Sequence, residues 1–161
     1  MARLQGISVN LNAMLDAIAW SEGTVQVPSD DGYNVMVGST PSDPILFSSY
    51  ADHPRIYNPK FNSTAAGRYQ IIKGMFDAYK KRCGVPDFSP ESQDTIAIQM
   101  IRERGALPDI EAGNIFNATA LLCPIWASLP GNSAGQHQNS TASIQAAFMK
   151  AGGSCPVSAD A

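Results

Sequence analysis

Helical spacing of apolar residues opens this chain, lapses over a long middle stretch, and then returns. That interruption constrains the fold more than any other feature. Leu11, Met14, Leu15, Ile18 and Ala19 recur at the helical period, which predicts an amphipathic helix over Val9 to Ser21. Gly23 stands where a left-handed cap closes such a helix. Val25–Val27, Tyr33–Val37 and Ile45–Phe47 are short β-favouring runs divided by Ser29-Asp30-Asp31-Gly32 and Ser39-Thr40-Pro41-Ser42-Asp43-Pro44, the pattern of a small antiparallel sheet or β-wing. Ser48 to Thr64 is polar, holds Pro54 and Pro59, and reads as a long loop.

The helical period resumes from about Arg68 to Arg82 through Ile71, Ile72, Met75, Phe76 and Tyr79. Ser89-Pro90 supplies a cap and a first-turn proline for a helix carrying Ile96, Ala97, Met100 and Ile101, which Gly105 stops. Ile115 to Ala127 and Ser140 to Lys150 are further helix candidates, separated by a Gly-, Asn- and Ser-rich loop over Leu129 to Asn139. The expected architecture is α+β, mostly helical with a small antiparallel β-wing. One domain spans 1–161, with a core over about 9–153 and a frayed tail over 154–161.

Composition narrows the function. With 161 residues, 44% apolar and 16% charged, the chain has material for a core and lacks the signature of disorder. A net charge of −3, with basic residues densest only at Lys80, Lys81 and Arg82, argues against nucleic-acid binding. No apolar run reaches the roughly 18–20 residues of a membrane span, and no secretory signal is visible, so synthesis in a cytoplasm is expected. Cys83, Cys123 and Cys155 form no C-x-x-C pair, and His53 and His137 lack ligand spacing. No metal or cofactor is expected.

Glu22 follows Ile18 by four positions, in register with Leu11, Met14 and Leu15. That register aims a carboxyl group from the apolar side of the helix, at its negative end. Both settings disfavour the charged form, which suits a general acid working near neutral pH. An ordinary glutamate at a frayed helix end is the competing reading.

Four ordered segments resemble the lambda-type endolysin family: Ala19-Trp20-Ser21-Glu22-Gly23-Thr24, Asp52-His53-Pro54-Arg55, Ser63-Thr64-Ala65-Ala66-Gly67-Arg68-Tyr69-Gln70 and Ile125-Trp126-Ala127-Ser128-Leu129-Pro130-Gly131. The likeness runs from about Asn12 to Gly153. It implies a lysozyme-like fold and a lytic transglycosylase that cleaves the MurNAc–GlcNAc bond of peptidoglycan, leaving a 1,6-anhydro end. It maps the essential glutamate onto Glu22. It also implies substrate contacts from Gln70 and, beside it, Ser63 and Tyr69, with Gly67 permitting close approach. Tyr33, Asn34 and Ser128 are further candidate contacts. Trp126 reads either as a sugar platform or as core.

The loops Ser48–Asn62 and Leu129–Asn139 correspond to two lips flanking the cleft, with Asp52, His53 and Arg55 as loop-ordering residues. The sequence departs from the family pattern at Asn34, where aspartate is expected, at Ala65 for glycine, and at Ala134 for a lip tyrosine. The resemblance further implies release to the cell wall through a holin and action as a monomer on glycan strands in the periplasm. Asp30, Asp31, Asp43 and Asp52 leave a hydrolytic muramidase open as an alternative, and a non-catalytic glycan-binding phage protein is a second one.

Overall fold

A computed structural model describes residues 1–131 and 138–156 of the chain. Helices dominate, as expected: α1 (Val9–Ser21), α2 (Lys73–Cys83), α3 (Pro90–Glu103), α4 (Leu107–Glu111), α5 (Ile115–Leu122) and α6 (Thr141–Lys150). The chain groups into two compact units, one made of residues 1, 5–21 and 100–161, the other of 2–4 and 22–99.

In the first unit α1 packs on α4 and α6, while α5 packs on α4 and α6. Leu11, Met14, Leu15 and Ile18 of α1 are buried, as are Ile110, Ile115, Leu122, Ile144 and Phe148. Burying one such side chain contributes about 1.5–3 kcal/mol. Asn10 knits distant stretches together: Nδ2 donates to the Glu111 carbonyl at 3.0 Å, and Oδ1 accepts from the Ser154 backbone N–H at 2.9 Å. The expected fraying therefore does not begin at Ser154; residues 157–161 lie outside the described residues.

Helix α5 stops at Leu122, not at Ala127, because Pro124 has no N–H to continue the ladder. The Cys123 thiol, 3.4 Å from the Ala120 carbonyl, serves the acceptor that the proline leaves unserved. Five-residue α4 opens with Leu107-Pro108 and is too short to show a period, so the sequence reading passed over it.

The second unit holds the expected wing in reduced form. Its pairing is antiparallel, but among the described residues it consists of isolated bridges: Val35 with Leu46, Met36 with Ala66, Thr40 with Asp43, Asn58 with Ser63, and Ala66 with Ile71. Val25–Val27 is not a strand. Gly23 turns the chain at φ 78°, and Thr24–Gln26 winds into one 3-10 turn, fixed where the Thr24 hydroxyl donates to the Arg68 carbonyl at 2.7 Å. Helix α2 begins at Lys73, later than Arg68, because Gln70 is left-handed (φ 48°) and Ile71 pairs back on Ala66.

Two buried clusters hold this unit. Phe76, Phe88 and the His53 ring pack with centroids 4.9–5.8 Å apart. Beside the wing, the Asp94 carboxylate is fully buried and accepts four hydrogen bonds. The donors are Tyr33 OH (2.8 Å), Tyr69 OH (2.6 Å) and the backbone N–H groups of Arg3 (2.7 Å) and Leu4 (2.9 Å). Burial and the neighbouring Asp94 charge both push the two phenols well above their ordinary pKa.

Candidate active site

Helix α1 ends at Ser21, and Glu22 occupies the turn between that last residue and Gly23. Its side chain is half-buried and lines a cleft of about 440 Å³. The 3-10 turn contributes Thr24, Gln26 and Val27, and the Val35–Pro41 face of the first hairpin forms a wall. Phe61 and Gln70 complete it. Among the described residues that line this cleft, Glu22 is the one ionisable group.

Gln70 is brought to the cleft as expected. Its Nε2 donates to the Gly67 carbonyl at 3.0 Å, so the turn uses the amide nitrogen and the carbonyl oxygen remains for a ligand hydroxyl or N–H. Its backbone is left-handed, at φ 48°. Gly67 has a different role from the one expected. A Cβ there would overlap the Gln93 amide, 2.7 Å from its Cδ, so the close approach glycine permits is to a buried side chain of the same chain. Gln93 in turn accepts from the Arg68 N–H at 2.9 Å and donates to the carbonyls of Tyr33 (3.0 Å) and Phe88 (2.9 Å).

The remaining expected contacts separate into frame and core. Tyr33 and Tyr69 are buried, with their hydroxyls committed to Asp94, so they position the wing and do not face the cleft. Asn34 accepts from the Asp30 N–H at 2.9 Å and braces the loop before the hairpin. Ser63 pairs with Asn58 and accepts from the Ala65 N–H at 3.0 Å, closing the second hairpin. In the other unit Trp126 is 3% exposed, which favours core over platform. Ser128 accepts from the Ser21 hydroxyl at 2.8 Å, and Asn139 donates to that hydroxyl at 3.1 Å. This mesh fixes the last residue of α1, from which the chain passes to Glu22.

The first lip is anchored as expected. Arg55 donates to Asp52 (2.9 Å) and to both oxygens of Asp77 on α2 (3.1 and 2.5 Å). His53 sits beneath, its Nε2 at 2.9 Å from the Ile71 carbonyl and its Nδ1 accepting from the Arg55 N–H at 3.0 Å. Most of the second lip, including Ala134, lies outside the described residues. Thr24, the Val35–Pro41 face and Phe61 were not singled out from sequence. Thr24 adjoins the Ser-Glu-Gly motif, but nothing local marks the other positions.

Three kinds of likeness bear on this geometry. Residues 12–155 match the family model described as Endolysin. The chain is 49% identical over 147 residues to the endolysin of Escherichia phage lambda, covering 88% of this chain and 90% of that one. It is 44% identical over 154 residues to the endolysin of Escherichia phage P2, covering 89% and 93%. The solved structure of bacteriophage lambda lysozyme complexed with a chitohexasaccharide aligns with a TM-score of 0.87 at 46% identity, over 95% of this chain and 100% of that one. A second structure, of lysozyme from bacteriophage lambda, aligns with a TM-score of 0.82 at 45% identity over the same shares.

Proposed function

This chain belongs to the endolysin family, and on that premise we propose that it is a peptidoglycan lytic transglycosylase with Glu22 as its acid and base. Protonated Glu22 donates to the glycosidic oxygen between MurNAc and GlcNAc as the C1–O bond breaks and an oxocarbenium-like centre forms. The C6 hydroxyl of the same MurNAc then attacks C1 and gives its proton to the Glu22 carboxylate. A 1,6-anhydro end results, no water is consumed, and the acid is restored. A nucleophile tethered to the reacting ring has a high effective molarity, so no second carboxylate is needed to activate water.

The observation that carries this reading is the solitary carboxyl group among the described cleft-lining residues. A hydrolytic muramidase needs a second carboxylate roughly 5–9.5 Å from the first. Three of the four aspartates considered for that role have cationic partners: Asp30 with Arg3, Asp31 with Arg68, and Asp52 with Arg55 and Lys80. Asp43 sits in the tip of the first hairpin, paired with Thr40.

Release through a separately encoded membrane-pore protein, followed by action as a monomer in the periplasm, completes the proposal. It accords with the finding that, among the described residues, no helix is long and apolar enough to cross a membrane.

The test is product mass. Glycan fragments from purified peptidoglycan are expected one water lighter than hydrolytic fragments. Glu22→Gln is expected to lower the rate by about a thousandfold or more. Reducing ends as the main product would replace the transglycosylase with a hydrolase.

A further inference from the structure

Phe61 has one large apolar ring 49% exposed to solvent, on the same cleft as Glu22 and Gln70. We propose that this ring is the stacking platform for a sugar of the bound glycan and so a determinant of substrate affinity. The proposal rests on reading the cleft as a glycan site.

Three observations separate Phe61 from a chance exposed side chain. First, its hairpin is built to hold a tip. Asn58 and Ser63 pair across its base, and left-handed Asn62 (φ 48°) turns the chain directly after the ring. The Tyr57 hydroxyl donates to the Asn62 side chain at 2.7 Å and fixes that turn.

Second, the hairpin is moored to the opposite wall. The Asn58 amide donates to the Val37 carbonyl at 3.1 Å. The edge of the Phe61 ring rests over Gly38, whose backbone has φ 93° and where a Cβ would lie 2.8 Å from the ring. The chain thus keeps glycine under the ring, and the ring position is set by backbone and not by a pliable side chain.

Third, the surroundings suit a pyranose. Such a ring offers C–H groups on its faces and hydroxyl groups at its rim. Here Val35, Met36 and Phe61 give apolar lining, while Ser39, Thr40 and Gln70 supply polar groups. A flat aromatic surface beside a few polar groups is the usual composition of a small-ligand site. The Lys60 ammonium lies over the Phe61 ring, 5.5 Å from its centroid, so the sugar is expected on the opposite face.

The test compares Phe61→Leu, Phe61→Ala and Phe61→Trp, each alone and combined with Glu22→Gln. Leucine keeps apolar bulk and removes the flat face, which separates stacking from packing. In the Glu22→Gln background, calorimetric binding of the β-1,4 hexamer of N-acetylglucosamine is expected to weaken about tenfold for leucine and alanine. Tryptophan is expected to bind as well as phenylalanine and to give fluorescence quenching that rises with hexamer concentration.

With Glu22 intact, KM for peptidoglycan rises for leucine and alanine while kcat changes by no more than about twofold, the signature of lost ground-state binding. Equal hexamer affinity in the phenylalanine and leucine proteins, or no hexamer binding by either, overturns the platform. Lysis that survives Glu22→Gln alone sinks the catalytic assignment and leaves this binding comparison readable.

Discussion

At the scale of single residues, Gly67 and Gln93 show how a glycine expected to admit substrate instead admits a buried side chain of the same chain. The Gln93 amide joins three backbone groups, and only a residue without Cβ leaves it room. Gly67→Ala also forces a side chain onto a backbone at φ 79°, so a loss of about 2–4 kcal/mol is expected, read as a lower unfolding midpoint. Gly74, on α2, faces open space at an ordinary φ; Gly74→Ala is expected to raise stability by up to about 1 kcal/mol. The buried Asp94 carboxylate makes a second residue-scale prediction. Asp94→Asn keeps the shape, loses the charge and leaves two of the four donors facing an NH₂ group, a cost of about 2–4 kcal/mol in chemical unfolding. The same network explains why Tyr33 and Tyr69 misled the sequence reading. A tyrosine beside a motif looks alike whether its hydroxyl meets a sugar or a carboxylate distant in the chain.

At the scale of elements, what was legible tracks how local the determinants are. Helix α1 follows from its own periodicity and Gly23, and α3 and α6 from their serine caps, with Ser140 accepting from the Ser143 N–H at 3.1 Å. The start of α2 and the 3-10 turn at Thr24 depend on pairings with Ala66 and Arg68, which no short window contains. The place of Glu22 on the cleft was legible because its constraint is helical register; that of Phe61 was not, because its constraint is Gly38, far away in sequence.

The first lip carries a pH prediction at this scale. His53 is held neutral by accepting from the Arg55 N–H, and burial lowers its pKa below 6.5. The folded state therefore binds fewer protons than the unfolded one below about pH 6.5, and stability decreases as the pH is lowered through that window. Hydrogen bonds from Arg55 hold Asp52 and Asp77 below the usual carboxylate range, so their contribution is present above about pH 3.8 and is lost only in stronger acid. Thermal melts between about pH 5 and 8 should show this slope, and His53→Gln should flatten it.

At the scale of the whole molecule, both compact units are discontinuous in sequence: residues 2–4 join 22–99, and residues 5–21 join 100–161. An excised 22–99 fragment would lack the Arg3 and Leu4 N–H groups that Asp94 accepts from. It is expected to give no cooperative unfolding transition in calorimetry, whereas the intact chain gives a sharp one. The order in which the ribosome delivers the chain matters for the same reason. Helix α1 is translated well before the helix it packs against most, α6 at Thr141–Lys150. Its apolar face must wait until α6 has left the ribosome, and until then a chaperone or the nascent chain itself shields it. A truncated translation product should accordingly be a substrate for cellular proteases and not a prematurely active lysin.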